Sequence, residues 1–388
     1  MSGGTGINNE TLKRRNRGLI LQLILSGACI TRSELTRQTG LSKMSVSNVI
    51  SEFMDLDVVR ECAPLAVSGQ GRNPIGLSLS PNAPRLIGLH IDRGECVAVR
   101  CNLKLQVEKE FRIPMNAERA PYLEEDLCRA IDQVMPGENV RVLGIGIGST
   151  GPVAQRQGMI LNALHLFGVH DVPIAAHLAE RYHLPVAFDS QYNCAALAEK
   201  YFGAGRPYQD FLLVGLSTGV GSGVIAEGKL LRNAMGLTSE LGHTSIDWKG
   251  NLCRCGNRGC LETYVGTQIV EKKLREVSGV DTDFAGFCWM MDGGEAETIK
   301  PVFFEMAEAL ACALTSAVNV LNPQAIIVGH DGAYLPLCCL EYLEQRINRQ
   351  KLAGGNPVKI LRPELGPRSQ VRSSACCLLA EIFEGRLL

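Results

Sequence analysis

The sequence lacks a long apolar run, a signal peptide and a net charge of any size. We find no uninterrupted apolar stretch of the roughly 18 or more residues that a membrane-spanning helix needs. The N-terminus leads into an amphipathic segment rather than into the apolar core of a signal peptide. These two absences predict a cytoplasmic protein that does not contact a membrane. The formal net charge of −1 favours no class of partner by itself.

What the sequence contains is typical of globular proteins. Of its 388 residues, 46% are hydrophobic and 20% are charged, and the length suits two or three domains. There are 15 cysteines, and in a reducing cytoplasm most should be free thiols that pack as small hydrophobic residues. The adjacent pairs Cys338–Cys339 and Cys376–Cys377 stand in apolar surroundings and are predicted to be core.

The charge is unevenly distributed along the chain. Residues 1–80 contain nine Lys and Arg against six Asp and Glu, a net charge of +3, which leaves −4 for the remainder. This region shows a helix, a short helix capped by Thr31 and ended by Gly40, and a third helix capped by Ser42. Two strands joined by a tight turn at residues 69–71 follow. The order is typical of a winged helix-turn-helix.

The third helix has the features of a DNA-recognition helix. Apolar residues recur at helical spacing and should face a core: Val46, Val49, Ile50, Phe53 and Leu56. The residues on its other faces are mostly small and polar, as base reading in the major groove requires, and they include Lys43, Ser45, Ser47 and Asn48. Arg72, in the wing, is placed to enter a minor groove. The alternative is a small three-helix protein-interaction domain, which the basic charge and the wing disfavour.

Beyond a proline-containing linker at residues 80–85, the pattern changes to alternating strands and helices. Residues 86–103 and 211–231 share the order apolar strand, glycine turn, apolar strand. This repetition predicts a duplicated α/β architecture of two lobes, with a cleft in which a ligand binds. We predict a winged helix-turn-helix at 1–80, a first lobe at 81–198 and a second lobe at 199–388. The final helix, at about 370–388, is a candidate to return to the first lobe.

One group of residues has the spacing of a metal site. His243, Cys253, Cys255 and Cys260 form the pattern H-x9-C-x-C-x4-C, with glycines that a tight loop needs. Three thiolates and one imidazole complete a tetrahedral zinc shell with no open position, which is typical of structural zinc. The alternative is a chance cluster of free thiols.

Two glutamates bracket this loop. If one ring nitrogen of His243 binds zinc, the other is oriented as a hydrogen-bonding group. Together with Glu240 and Glu262 it would suit the hydroxyl groups of a sugar, each of which both donates and accepts. Either glutamate alone is better explained as a solvated surface residue, and only the three residues together make sugar binding a competitive interpretation.

At these residues the chain resembles the ROK family (repressor, open reading frame, kinase). The resemblance rests on ELGHTSID, CRCGNRGCLETYVG, LSTGVGSGVIAEG and, at 144–153, GIGIGSTGPV, and it extends over about residues 85–388. It implies an actin-like, two-lobed sugar-kinase fold, sugar contact by Glu240, His243 and Glu262, and a homodimer or homotetramer. A winged helix-turn-helix in front of such a body resembles the branch of sugar-responsive repressors, related to the xylose, glucose and N-acetylglucosamine repressors.

The chain departs from the kinases of the family in two places. Their phosphate loop, D-x-G-G-T-K, reads here from Asp92 to Val97 without the hydroxyl and the lysine, and Glu95 replaces a glycine. Their N-D-A-N segment, which contains the catalytic aspartate, reads Ser190-Gln191-Tyr192-Asn193. Glutamine cannot serve as a base, so both changes predict loss of phosphoryl transfer. A second glycine loop, at 217–223, is kept.

The sequence therefore predicts a regulator of carbohydrate metabolism genes, in first place a repressor, that binds a double-stranded DNA operator. The body would bind a sugar or sugar phosphate through Ser190, Gln191, Glu240, His243 and Glu262. Closure of the lobes on that ligand would change the spacing of the DNA-binding modules in the oligomer and relieve repression. One alternative is an ATP-dependent sugar kinase tethered to DNA, with Asp189 as a relocated base. The other is a scaffold that has lost its ligand.

Overall fold

The structure is a computed structural model of one chain. It describes residues 9–28, 30–64, 75–161, 166–232, 236–294, 297–352 and 354–387. These form an N-terminal module (residues 9–79) and a body of two lobes, each built on a five-stranded sheet.

The N-terminal module has three helices and a two-stranded antiparallel sheet. Its elements are α1 (Asn9–Leu25), α2 (Arg32–Thr39), α3 (Lys43–Asp55), β1 (Val59–Pro64) and β2 (Ile75–Leu79). The predicted caps are confirmed: the Thr31 hydroxyl accepts from the amide of Glu34, and that of Ser42 from the amide of Ser45. Gly40 ends α2 with a φ of 69°, which glycine adopts without steric cost.

The apolar face of α3 is buried as predicted, with one exception. Val46, Val49, Ile50 and Phe53 lie in the core of the module, but the side chain of Leu56 is 40% exposed. The prediction for Leu56 was wrong because the helix ends at Asp55, so the helical period no longer sets the direction of the next side chain. The predicted turn at 69–71 and Arg72 lie outside the described residues.

The first lobe contains one five-stranded sheet, a two-stranded ribbon and three helices. Its elements are β3 (Arg85–Ile91), β4 (Glu95–Cys101), β5 (Val107–Pro114), α4 (Leu123–Val134), β6 (Val142–Ser149), β7 (Val153–Ala154), β8 (Met159–Ile160), α5 (Ile174–Tyr182), β9 (Val186–Ser190) and α6 (Gln191–Phe202). The strand order is β5-β4-β3-β6-β9, in which β3, β6 and β9 run parallel and β4 is antiparallel to both its neighbours.

The second lobe repeats this topology. Its elements are β10 (Phe211–Leu216), β11 (Val220–Ala226), β12 (Lys229–Leu230), α7 (Glu262–Val265), α8 (Thr267–Ser278), α9 (Phe284–Asp292), α10 (Lys300–Leu321), β13 (Ala325–His330), α11 (Leu337–Gln350), β14 (Lys359–Leu361) and α12 (Ser369–Phe383). The order β12-β11-β10-β13-β14 again has three parallel strands and an antiparallel pair at one edge. The duplicated α/β architecture is confirmed.

The last helix, α12, packs on the first sheet rather than on the second. Glycines in β6 allow the close approach, since a Cβ on Gly146 would overlap the carbonyl oxygen of Ser374. Cys376 and Cys377 are buried at this contact, as predicted. In the other predicted pair Cys339 is buried, but Cys338 is exposed because it lies on the outer face of α11.

Helix α6 lies between the two lobes. It contacts β10 and β11 on one side and β6, β9 and α12 on the other, and it is buried over nearly its whole length. Residue 198, where the sequence suggested dividing the lobes, falls inside this helix. Because α6 contacts both lobes, the structure marks no division at this point, and the boundary between 198 and 199 remains a prediction.

Helix α1 of the N-terminal module packs on the end of α12. A Cβ on Gly18 would lie 2.6 Å from the carbonyl oxygen of Ile382 and closer still to that of Phe383. Gly385 likewise approaches the backbone of Arg14 and Arg15. The N-terminal module is thus in direct backbone contact with the helix that covers the first sheet.

Among the described residues, α10 is the one helix long and apolar enough to cross a membrane by length and composition. The apolar patterning of the sequence predicts no such run. The helix is 22 residues long, and 56% of its apolar window is buried inside the protein. Its buried face belongs to the core of the second lobe.

Candidate functional site

The four residues with metal-site spacing come together in the second lobe. The ligand atoms of His243, Cys253, Cys255 and Cys260 all lie within 4.8 Å of one another. Nδ1 of His243 is 3.6 Å from the Cys253 sulfur, and the sulfurs of Cys255 and Cys260 are 3.6 Å apart. A tetrahedral zinc ion, with bonds of about 2.3 Å to sulfur and 2.0 Å to nitrogen, needs ligand separations of about 3.6 to 3.8 Å. The donor set and its geometry fit a metal ion.

The loop that carries the thiols folds on its own backbone. The amide of Cys253 donates to the carbonyl of Asn257 at 2.8 Å, and the amide of Gly256 donates to the carbonyl of Cys253 at 3.0 Å. Gly259 has a φ of 68°, and a Cβ there would overlap the carbonyl oxygen of Asp247. Glycine is required at this position, because any side chain would push the loop away from the backbone of Asp247.

A small cavity between the lobes adjoins this cluster. It has a volume of about 30 Å³, enough for about two ordered water molecules. Its lining comes from both lobes and comprises Thr150, Gly151, Ser190, Tyr192, Gly219, Val220, Thr238, Ser239, Glu240, His243 and Glu262. We call it the cleft cavity. At this size it cannot hold a monosaccharide until the surrounding groups move.

Three of the predicted sugar-binding residues meet on the second-lobe side of the cleft cavity. Glu240 precedes the short 3-10 helix Leu241–His243, and Glu262 begins α7. An oxygen of the Glu262 carboxylate accepts from the amide of Val220 at 3.0 Å. Since Nδ1 of His243 is directed at the thiols, Nε2 is the nitrogen left to face the cavity.

Solvent reaches Glu240, yet the protein around it perturbs its titration. Burial raises the pKa of the Glu240 carboxyl above its usual value, and the charge of Glu262 adds to this effect. The hydroxyl of Thr238, which donates to Glu240 at 3.0 Å, and His243 both act in the opposite direction. The carboxyl therefore sits in a site that would gain from a hydrogen-bond donor supplied by a ligand.

On the first-lobe side, the two other predicted sugar-binding residues differ in position. Ser190 lines the cavity and caps α6, its hydroxyl accepting from the amide of Asn193 at 3.1 Å. Gln191 is 1% exposed and does not line the cavity. Neither polar atom of its amide has a hydrogen-bond partner within the described part of the chain. A buried amide in this condition lacks a partner that a ligand or a shift of the helix could provide.

Asp189, the candidate for a relocated base, is fully buried. One of its oxygens accepts from Arg232 at 2.6 Å, and the other accepts from the side-chain amide of Asn193 at 2.7 Å. Arg232 follows β12 in the second lobe, so the pair joins the lobes. A carboxylate held in this way is directed away from the cavity, which Asp189 does not line.

The glycine loops at 92–97 and 217–223 both differ from a phosphate cradle. The carboxylate of Glu95 is turned to Arg112 of β5, both oxygens lying 2.7 Å from one guanidinium nitrogen. In the second loop, the amide and hydroxyl of Ser217 both donate to the carbonyl of Gly219, at 2.9 and 3.1 Å. Both hydrogen bonds lie within the turn, so the segment is retained here as a structural turn.

Several cavity-lining residues were not identified from the sequence, Tyr192 among them. Tyr192 stands at the second position of α6, between the two predicted residue positions and the retained Asn193. It is 9% exposed and lies at the contact between α6 and the second sheet. The signal was present in the sequence, since the family segment N-D-A-N has alanine where this chain has tyrosine.

The predicted DNA-contact residues lie on or near the surface of α3. Lys43, Ser45 and Asn48 are exposed, and Ser47 is half-buried. Met44, which the sequence analysis left out, is 74% exposed on the same helix. An exposed apolar side chain here would suit contact with a thymine methyl group.

Comparison with known proteins supports the family seen in the sequence. The model of the ROK family matches residues 87–365. The xylose repressor of Caldicellulosiruptor bescii is 28% identical over 97% of this chain and 98% of its own length. The Escherichia coli DNA-binding transcriptional dual regulator NagC is 26% identical over 95% of this chain and 93% of its own length.

Solved structures agree with the fold. A ROK family transcriptional regulator, a homologue of the E. coli MLC protein, has a TM-score of 0.77 at 23% identity and covers 97% of this chain and 98% of its own. A ROK family glucokinase from Streptomyces griseus, in complex with glucose and AMPPNP, has a TM-score of 0.65 at 23% identity and covers 75% of this chain and 98% of its own. The regulator thus also matches the N-terminal module, and the family model spans most of the body. The chain belongs to the ROK family.

Proposed function

We propose that the chain is a transcriptional regulator that binds an operator through its N-terminal module. Binding of a sugar would change its affinity for that operator. The observation that carries the proposal is the combination found in one chain. A winged module packs on a kinase-type body in which Glu240, His243 and Glu262 surround a cleft, while Gln191 occupies the position of the catalytic base. The names of two relatives, a xylose repressor and a DNA-binding transcriptional dual regulator, support the same assignment.

Zinc is the proposed metal of the cysteine cluster. Three thiolates and one imidazole are the donor set of structural zinc, and the separations of the ligand atoms suit tetrahedral coordination. His243, Cys253, Cys255 and Cys260 would hold the ion. Zinc would fix the ring of His243, so that its second nitrogen keeps one direction for a sugar hydroxyl.

The proposed response begins with the small size of the cleft cavity. A sugar can enter only when Ser190 and the turns facing it separate, so ligand binding must favour another arrangement of the lobes. Ser190 caps α6, α6 packs on α12, and α12 contacts α1. A shift at the cavity would therefore reach the helix of the N-terminal module through packed elements. In an oligomer this would alter the spacing of two such modules on DNA.

The alternative of a DNA-tethered sugar kinase is disfavoured by the surroundings of Asp189. Its two carboxylate oxygens are engaged by Arg232 and Asn193, and it does not line the cavity. A general base must come within about 3 Å of the hydroxyl whose proton it takes. The proposal therefore excludes phosphoryl transfer as the activity of this chain.

The experiment that tests the proposal is selection of genomic DNA fragments by the purified full chain, with and without a panel of sugars and sugar phosphates. We expect enrichment of a two-fold-symmetric site, with at least a tenfold change in affinity caused by one sugar. The Glu240→Ala variant should bind the same site but lose the response, and Glu297→Ala, on the exposed surface, serves as its matched control. Absence of any enriched site would contradict the proposal, as would ATP turnover with a hexose.

A further inference from the structure

Tyr192 fills the space beneath the second glycine loop. Its ring packs on Gly215 and Gly221, which pair with each other across β10 and β11. A Cβ added to either glycine would overlap the ring. The two strands therefore present bare backbone to the tyrosine, and the ring takes the room that side chains would otherwise occupy.

The surroundings of the ring identify the space that it fills. His330, at the end of β13, lies with its ring centroid 4.9 Å from that of Tyr192. Burial raises the pKa of Tyr192, and the charges of Asp92, Glu262 and Glu240 add to the effect. The ring thus lies between β10, β11 and His330, and it lines the same cleft cavity as Glu240 and Glu262.

In a kinase with this fold, a phosphoryl group passes from nucleotide to sugar between the glycine loops and the base. The position of that base is occupied here by Gln191, which directly precedes Tyr192. The phosphate of a phosphorylated sugar would have to enter the same space. An aromatic ring excludes it by volume, and neighbouring carboxylates repel its charge. Among the described residues that line the cleft cavity there is no lysine or arginine to offset this repulsion.

We propose that Tyr192 is a specificity-determining residue, which makes the cleft accept an unphosphorylated sugar and exclude sugar phosphates and nucleotides. This inference rests on the proposed function, since it presupposes that the cleft binds a sugar. It narrows the class of effector from sugars in general to neutral sugars. It also means that the phosphate space is closed by Tyr192 of α6, in addition to the changes in the phosphate loop at residues 92–97.

The test compares each neutral sugar with its own phosphate, on the full chain with metal bound. D-xylose, D-glucose and N-acetylglucosamine, their phosphates, and AMPPNP with Mg²⁺ are titrated against the thermal midpoint and by calorimetry. We expect one neutral sugar to bind the wild-type chain at least 100-fold more tightly than its phosphate. Tyr192→Ala should reduce this ratio at least tenfold, whereas Tyr192→Phe, which keeps the ring, should leave it unchanged.

Tyr201→Phe and Tyr201→Ala provide the matched controls, because Tyr201 is buried on the same helix but packs on Phe383, away from the cavity. Neither should change the ratio. If Tyr192→Ala does not fold, Tyr192→Leu, which keeps an apolar side chain but shortens it, takes its place. A ratio that stays the same in the folded variant would overturn the inference.

The outcomes separate this inference from the proposed function. Tight binding of a sugar phosphate by the wild-type chain would overturn the role of Tyr192 and leave sugar sensing intact. Binding of AMPPNP would likewise overturn it. If no sugar in either form binds or alters DNA affinity, the proposed function fails and the inference fails with it.

Discussion

At the scale of single residues, buried polar groups carry most of the information about function. Gln191 replaces a titratable group with a neutral amide that has no partner in the described structure, and Asp189 next to it is held by Arg232 and Asn193. Neither arrangement could be read from residue types alone, since an aspartate two positions from the usual base looked capable of replacing it. Its hydrogen bonds to Arg232 and Asn193 hold it away from the cavity and disfavour that role.

Asp331 gives a pH-dependent prediction at the same scale. Burial raises its pKa from 3.8 to about 6, with Asp92, Glu271 and Asp283 adding to the effect. The folded state therefore holds this proton more tightly than the unfolded state, so ionisation lowers stability progressively from about pH 4 to pH 6 and fully above it. Asp331→Asn should raise the free energy of unfolding at pH 7.5 by up to about 3 kcal/mol, at 1.4 kcal/mol per pKa unit.

At pH 4.5 the same substitution should give about a third of that gain, measured by urea unfolding at both values of pH. Asparagine can still accept the hydrogen bond that the Thr267 hydroxyl donates at 3.2 Å. Glu297→Gln, on an exposed residue, is the control and should change stability at neither pH. A gain that does not depend on pH would show that the charge of Asp331 is not its cause.

At the scale of elements, local signals were sufficient and non-local packing was not. Thr31, Gly40 and Ser42 could be placed from the sequence because a cap depends on a hydrogen bond or a backbone angle within three residues. The metal site could be predicted in the same way, since its four ligands lie close together in the sequence. Leu56 was predicted to be buried but is exposed, because α3 ends one residue before it. The position of Tyr192 against Gly215 and Gly221 depends on residues more than 20 positions away in the chain and was not foreseen.

The loop around Cys253 allows a test of metal binding. We expect the purified chain to contain one zinc per molecule, and removal by a chelator or by Cys253→Ser to lower the thermal midpoint by about 5 °C or more, equivalent to roughly 2 kcal/mol. Metal analysis and calorimetry give the two readouts. Cys312→Ser, at an exposed cysteine outside the cluster, is the matched control. Equal zinc content in both variants would contradict the assignment of Cys253.

The contact of α1 with α12 predicts a substitution with an inverted sign. On an exposed helix, glycine to alanine stabilises by about 1 kcal/mol. In Gly18→Ala the new methyl group meets the backbone of Phe383, which cannot turn aside as a side chain would. We expect a loss of about 1 to 3 kcal/mol.

Denaturant unfolding and limited proteolysis between the N-terminal module and the body would measure this loss. Lys13→Ala, on the exposed side of the same helix, should change stability by less than about 0.5 kcal/mol. A stabilising effect of Gly18→Ala would mean that α1 does not rest on α12 in solution.

At the scale of the whole molecule, the two lobes are repeats that share α6 and are linked by an ion pair between Arg232 and the buried Asp189. The repetition was predicted from two similar segments, because a strand, turn and strand are local. The sharing of α6 between the lobes was not predictable, since both of its faces are apolar and a sequence does not say which sheet each one meets. Arg232 and Asp189, which bridge the lobes behind Ser190, belong to the same class of long-range contact.

Breaking this ion pair should be costly. Arg232→Met leaves Asp189 fully buried without its cation, so the free energy of unfolding should fall by about 3 kcal/mol. The double variant with Asp189→Asn should recover most of the loss, because no buried charge remains, and a double-mutant cycle in urea measures the coupling. Additive losses would show that the pair does not link the lobes energetically.

The path of α12 has a consequence for the order in which the protein is made. The sheet that this helix covers is complete once Ser190 has been synthesised, but the helix itself begins only at Ser369. Until then α12 does not cover the apolar face of the first sheet, and α1 lacks the helix on which it packs. Such distant contacts slow folding and expose aggregation-prone surface. A newly made chain would therefore depend on chaperones in the interval before its last helix leaves the ribosome, and it could not read DNA with a docked module before then.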